Sequence, residues 1–243
     1  MADSFPNAEE AFCDAFQNPD PTPKLLELIS AHPRGQTITD LVSFYHEFVT
    51  KSPTQVNRLA GVMVEIKSSK GFTVVASDNV GNLAQQEIAP VLATELADYL
   101  GGFLAEAKDT FVTPSNEYLI ASLLSATSMI YGLCDSPAQA GAVAHGLQLK
   151  DRRHRDAPES KEVLVLGMCL QLLVAGSYLY GPTGTDTGKI DVLTALQDIK
   201  EEGIVKDANG QILLEATVRQ AKDGFKADVK DKDAWNILFP QEA

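Results

Sequence analysis

Apolar residues recur at helical spacing through the first part of the chain. Leu41, Phe44, Tyr45, Phe48 and Val49 form one stripe, and Val56, Leu59, Val62, Met63 and Ile66 form another. Each lies opposite a polar face, which predicts two helices that pack on one side only. Further along, the pattern changes. Tyr118 to Gln148 contains a single charged residue, Asp135, and Val163 to Tyr180 contains none. Helices that are apolar on most faces belong at the centre of a core, so the amphipathic helices are expected to pack around a central apolar helical hairpin.

Element starts are marked by Ser or Thr followed by Pro, at Thr22-Pro23, Ser52-Pro53, Thr113-Pro114 and Ser136-Pro137, with Ala157-Pro158-Glu159 a relative. A hydroxyl can accept a bond from an orphan N–H of the first turn, and proline fits the first helical position because it lacks an N–H of its own. These signals predict helices near Asn7–Gln17, Pro23–His32, Thr37–Lys51, Pro53–Ser69, Asn82–Asp109 with a break at Pro90, Pro114–Leu133, Pro137–Leu149, Pro158–Tyr180, Ile190–Glu202, Gln211–Ala227 and Asp231–Phe239. Gly71, Gly181, Gly203 and Gly210 fall at or just outside helix ends, where glycine relieves left-handed backbone strain. The one strand candidate is residues 72–76, a β-prone run bounded by Gly71 and Asp78-Asn79. The fold class expected is therefore all-α, a multi-helix orthogonal or bundle-like globule with at most one short β segment. Start intervals are irregular, which argues against a fixed-period repeat.

Composition agrees with helix. Among 243 residues, 44% are hydrophobic but only 7% aromatic, a bias toward residues that pack between helices. One domain over residues 1–243 is expected, with a two-lobe division near 150–158 as the alternative. The formal net charge of -13 disfavours generic coating of nucleic acid or anionic lipid, since its field repels polyanions out to about a Debye length, about 8 Å in physiological salt. Cys13, Cys134 and Cys169 are odd in number, lie in apolar contexts and show no CxxC spacing, as reduced core thiols do. The acidic N-terminus lacks an apolar secretory core, and a cytoplasmic setting is expected.

Candidate chemistry is sparse. Val163 to Tyr180, 18 residues long, sits at the lower limit of a bilayer span. Gln171 in its middle and an equally apolar partner segment favour a buried helix, and no stable membrane insertion is expected. Lys150, Arg152, Arg153 and Arg155 make the densest cationic cluster, interrupted by Asp151 and followed by Asp156. Such a loop suits a phosphate backbone, an acidic protein partner or a head-to-tail contact between identical subunits. Gly181 to Ile190 imitates a phosphate-binding loop but fails it: Thr183 stands where the first glycine belongs, and Ile190 replaces the magnesium-binding hydroxyl. His32, His46, His145 and His154 are scattered, so no metal ligand set forms. A Cys–His pair of Cys134 or Cys169 with His145 lacks a visible activating context. Asp207 to Gly210 reads as a turn, since the twelfth position of a calcium loop would be Val218. No catalytic, cofactor-binding or metal residue is assigned.

Three functional expectations follow. The first is a non-enzymatic helical interaction or assembly protein, an adaptor, assembly subunit or acidic binding partner, with protein partners or self-association. The second is a self-assembling viral coat or nucleoprotein that binds nucleic acid through the 150–155 loop. An all-helical chain with a basic inter-lobe loop superficially resembles segmented-virus nucleoproteins, although its acidic charge counts against them. The third is a small-ligand carrier or enzyme with an apolar inter-helix pocket, to which Tyr118, Tyr131, Tyr178 and Tyr180 would lend polar tips.

Overall fold

The computed structural model describes residues 7–77, 81–109, 115–133, 158–181, 192–226 and 229–240. Among them are ten α-helices and one two-stranded sheet. In chain order the elements are α1 (Ala8–Gln17), α2 (Pro21–Ala31), α3 (Gly35–Lys51), α4 (Val56–Ser68), β1 (Thr73–Ser77), β2 (Leu83–Glu87), α5 (Ile88–Asp109), α6 (Ser115–Ile130), α7 (Pro158–Tyr180), α8 (Val192–Glu201), α9 (Ala208–Lys222) and α10 (Asp231–Leu238). The all-α class holds. The expected helix Pro137–Leu149 lies outside the described residues.

The chain divides into two compact units. The first comprises Met1–Tyr99 and Tyr131–Asp135, and the second comprises Leu100–Ile130 and Ser136–Ala243.

In the first unit the two amphipathic stripes face inward. Leu41, Tyr45 and Val49 of α3 are fully buried, as are Val56, Leu59, Met63 and Ile66 of α4. Helix α1 adds Phe12 and Phe16, whose rings stand 5.7 Å from Phe44 and Phe48 respectively. Such pairs contribute beyond the area they bury, by about 0.5–1.5 kcal/mol. The carbonyls of Gly132 and Leu133 accept bonds from Lys67 Nζ at 2.6 and 3.2 Å, and Tyr131 donates to Asn57 Oδ1 at 3.1 Å. A short stretch following α6 in sequence thus belongs to this unit.

In the second unit α6 and α7 make the most extensive helix pairing. From Leu164 to Gly176 every α7 residue is buried, which accounts for the absence of a polar stripe in its sequence. Glycine permits the close approach: a Cβ on Gly167 would lie 2.5 Å from the Tyr118 ring and 2.6 Å from Ser122 Oγ. Helix α9 packs on α7, α8 and α10. The 20 residues Lys161–Tyr180 are long and apolar enough to cross a membrane, yet 78% of the window is buried inside the fold.

Three local expectations are corrected. Residues 83–87, expected to be helical, form β2, and Pro90 lies in the first turn of α5, so it marks a start and not a break. Gly210 is a buried residue inside the first turn of α9, where a Cβ would approach Val205 and Leu166 to 2.8 and 2.9 Å. Two of the Ser/Thr-Pro signals sit at helix starts, but neither hydroxyl caps. Ser52 makes no side-chain cap bond, and Thr22 donates instead to Glu65 Oε2. A side-chain cap forms at the start of α9, where Asp207 Oδ2 accepts from Gly210 N at 2.7 Å.

Candidate functional site

The hairpin of the first unit has one edge that no strand among the described residues pairs with. β1 and β2 pair antiparallel, Thr73 with Glu87 through Ser77 with Leu83. Ile88 N donates to Phe72 O at 3.1 Å. Antiparallel ladders alternate between bonded and non-bonded pairs, so Val74–Gln86 and Ala76–Ala84 are the bonded ones. The backbone groups of Thr73, Val75 and Ser77 then point away from β2, and those of Leu83, Gln85 and Glu87 point away from β1.

The two outer edges differ. On the β1 side Val75 N donates to Pro33 O at 2.9 Å, and Arg34 makes an isolated parallel bridge to Val75. Gly35, at the start of α3, lies close enough that a Cβ on it would stand 3.3 Å from Ala76 Cβ. That edge is covered. On the β2 side no strand among the described residues pairs with Leu83–Glu87. Alternate side chains show which face meets solvent. Val74 and Ala76 are buried, whereas Val75 is 44% and Leu83 76% exposed.

A groove of about 990 Å³ runs beside the hairpin, lined by residues that include Arg34, Thr39, Leu83, Gln86 and Glu95. Thr39 Oγ1 donates to Glu95 Oε2 at 2.8 Å, and Gln86 Nε2 to Ser77 O at 2.9 Å. The charged groups of this lining are one cation, Arg34, and one carboxylate, Glu95, among neutral polar and apolar side chains.

Cys169 is fully buried, and burial pushes its thiol up to about 12, opposed by a weaker lowering from a hydrogen bond with Thr217. A neutral thiol in an apolar setting is not a nucleophile. His46 is buried, with Nδ1 3.2 Å from Tyr99 Oη. No group of three His, Cys, Asp or Glu side chains able to hold a metal occurs among the described residues. Exposed pairs behave as expected of solvated charges: Glu47 raises the Lys51 pKa through a 2.5 Å bond, and Lys200 lowers that of Glu215 through one of 2.8 Å. Surface pairs of this kind contribute little.

Of the residues singled out in the sequence, Lys150, Arg152, Arg153 and Arg155 lie outside the described residues, as do Cys134, His145, His154 and most of Gly181–Ile190. The four tyrosines do not line the groove. Tyr178 is 38% exposed, Tyr131 is bonded to Asn57, and Tyr180 stands 6.1 Å from the Phe225 ring.

Neither a protein-family model, nor a curated protein, nor a solved structure matches this chain.

Proposed function

We propose that this is a non-enzymatic interaction or assembly protein that works through its surfaces. The observation that carries the reading is the hairpin: Leu83 and Val75 are exposed on the outer face of a sheet with an open edge. Edge strands offer unpaired backbone groups to another chain, and proteins usually guard them with lysine, proline or a covering element. β2 contains neither lysine nor proline. The buried, neutral Cys169 and the dispersed charged groups support the same reading, because no described cluster has the composition of a catalytic set.

A second reading rests on the sequence. Four cations within Lys150–Arg155, in a chain of net charge -13, suit a coat protein or nucleoprotein that grips phosphates locally.

Size-exclusion chromatography with light scattering at low salt, recording absorbance at 260 and 280 nm, tests both. The assembly reading expects a mass that is a multiple of the chain's, or complexes with protein partners, with an ordinary protein spectrum. Excess 260 nm absorbance that disappears when Arg152, Arg153 and Arg155 are replaced by Ala supports the second reading. A monomer at every concentration that retains no partner counts against both.

A further inference from the structure

Asn209 is the only asparagine of the chain that is followed by glycine. The pair is chemically labile, because glycine has no Cβ to hinder attack by its nitrogen on the preceding side chain and reaches backbone angles closed to other residues. In that reaction the Gly210 nitrogen gives its proton to solvent base and forms a bond to Asn209 Cγ. The Cγ–Nδ2 bond breaks, and ammonia leaves with a proton taken from water. Water then opens the succinimide ring at either carbonyl, which yields an aspartyl or an isoaspartyl residue. Water is the sole co-reactant, and nothing is oxidised or reduced.

The fold holds this pair in an unreactive geometry. Asn209 and Gly210 lie in the first turn of α9, and ring closure requires the Asn209 ψ to leave the helical range. Gln211 N donates to Asp207 O at 2.9 Å, which closes the turn over both residues. The attacking nitrogen is itself engaged: its N–H donates to Asp207 Oδ2 at 2.7 Å, and a carboxylate beside an N–H opposes loss of that proton. Gly210 is buried close to Val205 and Leu166, so the peptide has little room to rotate. Glu162 of α7 steadies the cap by accepting the backbone N–H of Lys206 and of Asp207. Asn209 is only half-buried, so water reaches its side chain and geometry limits the reaction. We propose that Asn209 is a modification site gated by the first turn of α9: its amide converts to aspartyl and isoaspartyl forms when that turn opens, and the Asp207 cap sets how often it does.

The two products differ in consequence. The aspartyl form adds negative charge near a helix N-terminus, where the macrodipole favours it. The isoaspartyl form carries the main chain through Cβ and Cγ, which adds a methylene to the backbone. Leu213, Leu214 and Thr217 follow on the buried face of α9, and an extra backbone atom ahead of them breaks the spacing that joins the first turn to that face. An opening that lasts long enough for the ring to close thus becomes permanent.

The test is ageing of the full chain at neutral pH and physiological temperature, with residue 209 followed by peptide mass and by enzymatic methylation of isoaspartyl groups. Native wild type is compared with the same chain unfolded in guanidinium chloride and with native Asp207→Ala, Asp207→Ser and Gly176→Ala. Native wild type is expected to convert at least about tenfold more slowly than the unfolded chain, since a closed turn reacts only through its open population. Asp207→Ala is expected to convert about fivefold faster than wild type, the gain in open population that loss of an N-cap gives. Asp207→Ser, whose hydroxyl caps in the carboxylate's place, should stay within about twofold of wild type. Gly176→Ala loosens α7 away from the turn and should leave the rate unchanged. Equal rates for native and unfolded wild type overturn the proposal, as does an Asp207→Ala that converts no faster than wild type. Acceleration in Gly176→Ala equal to that in Asp207→Ala also overturns it, because global unfolding is then the route. Should Asp207→Ala lose the native circular dichroism, Glu162→Ala, which leaves the cap bond in place, is measured instead, and an unchanged rate there is the overturning result.

Discussion

Phe225 rests against the bare Cα of Gly176: a methyl group in the glycine's place would collide with the ring at Cδ1 and stand 2.8 Å from Cε1. The ring has little room to yield. Phe225 is 4% exposed, sits at a φ of 49°, and is followed by a segment tied to α7 where Val229 N donates to Leu173 O at 2.8 Å. A bulky residue in the left-handed region persists only where its surroundings hold it there. Gly176→Ala should therefore cost about 1–3 kcal/mol through overpacking. Gly61, inside α4, faces open space, and a Cβ added to it would meet nothing within 4 Å. Gly61→Ala should stabilise by about 0.5–1 kcal/mol through helix propensity. Urea denaturation of the two variants reads the opposite signs, and equal effects would refute the packing described.

The buried side-chain oxygens of α6 and α7 yield a prediction of stabilisation. Ser122, Ser125, Ser128 and Gln171 are at most 1% exposed, and their hydroxyl or amide oxygens accept no bond. An unsatisfied buried polar group costs about 1–3 kcal/mol, and replacing it with an apolar group of similar shape regains part of that. Ser125→Ala, Ser128→Ala and Gln171→Met should each leave thermal stability unchanged or raise it. A loss above about 1 kcal/mol in any of them would mean that internal water satisfies that oxygen.

Cys169 links stability to alkaline pH. Its thiol is raised from about 9 to about 12 in the fold, so the native state holds the proton more tightly than the unfolded chain does. The stabilisation is complete below the unfolded value and is lost as pH rises from 9 toward 12, at up to about 1.4 kcal/mol per pH unit. Cys169→Ala should show a shallower decline than the wild type over pH 8.5–11. Parallel curves would show that the thiol does not contribute.

Glu162 and Asp207 together hold the start of α9. Glu162 Oε1 accepts the backbone N–H of Lys206 and Asp207 at 2.6 and 2.8 Å, and Asp207 Oδ2 caps Gly210 N at 2.7 Å. Asp207→Ala should cost about 1 kcal/mol, the usual worth of an N-cap. Glu162→Ala should cost a similar amount, since it frees two donors at once. Because both act on one turn, the double variant should lose less than the sum of the singles in the same urea titration.

Much of this architecture was legible in the residues. The uncharged run from Val163 to Tyr180 is a core helix because a segment apolar on every side has nowhere else to go, and Pro158 marks its start where the structure begins α7. The stripes of α3 and α4 face inward as their spacing requires. What escaped was β2. Leu83-Ala-Gln-Gln-Glu87 contains good helix formers and adjoins a true helix, so local propensity extends α5 backward. The strand exists because Val74 and Ala76 need a partner and Gly81, at a φ of 86°, turns the chain to supply one. Tertiary pairing overrides local preference here. The open edge was hidden with it, since an edge follows from the pairing and not from the residues alone. The signal was present in the β-prone run at 72–76 followed by Asp78-Asn79 and Gly81, a turn between two potential strands.

The contact of Lys67 with Gly132 and Leu133 also bears on the timing of synthesis. The first unit's own N-terminal stretch ends at Tyr99, yet Leu133 is fully buried and Tyr131 is bonded to Asn57. A nascent chain of 99 residues would carry most of that unit and lack the piece that finishes it. The ribosome must therefore deliver all of α6, which belongs to the other unit, before the first can close.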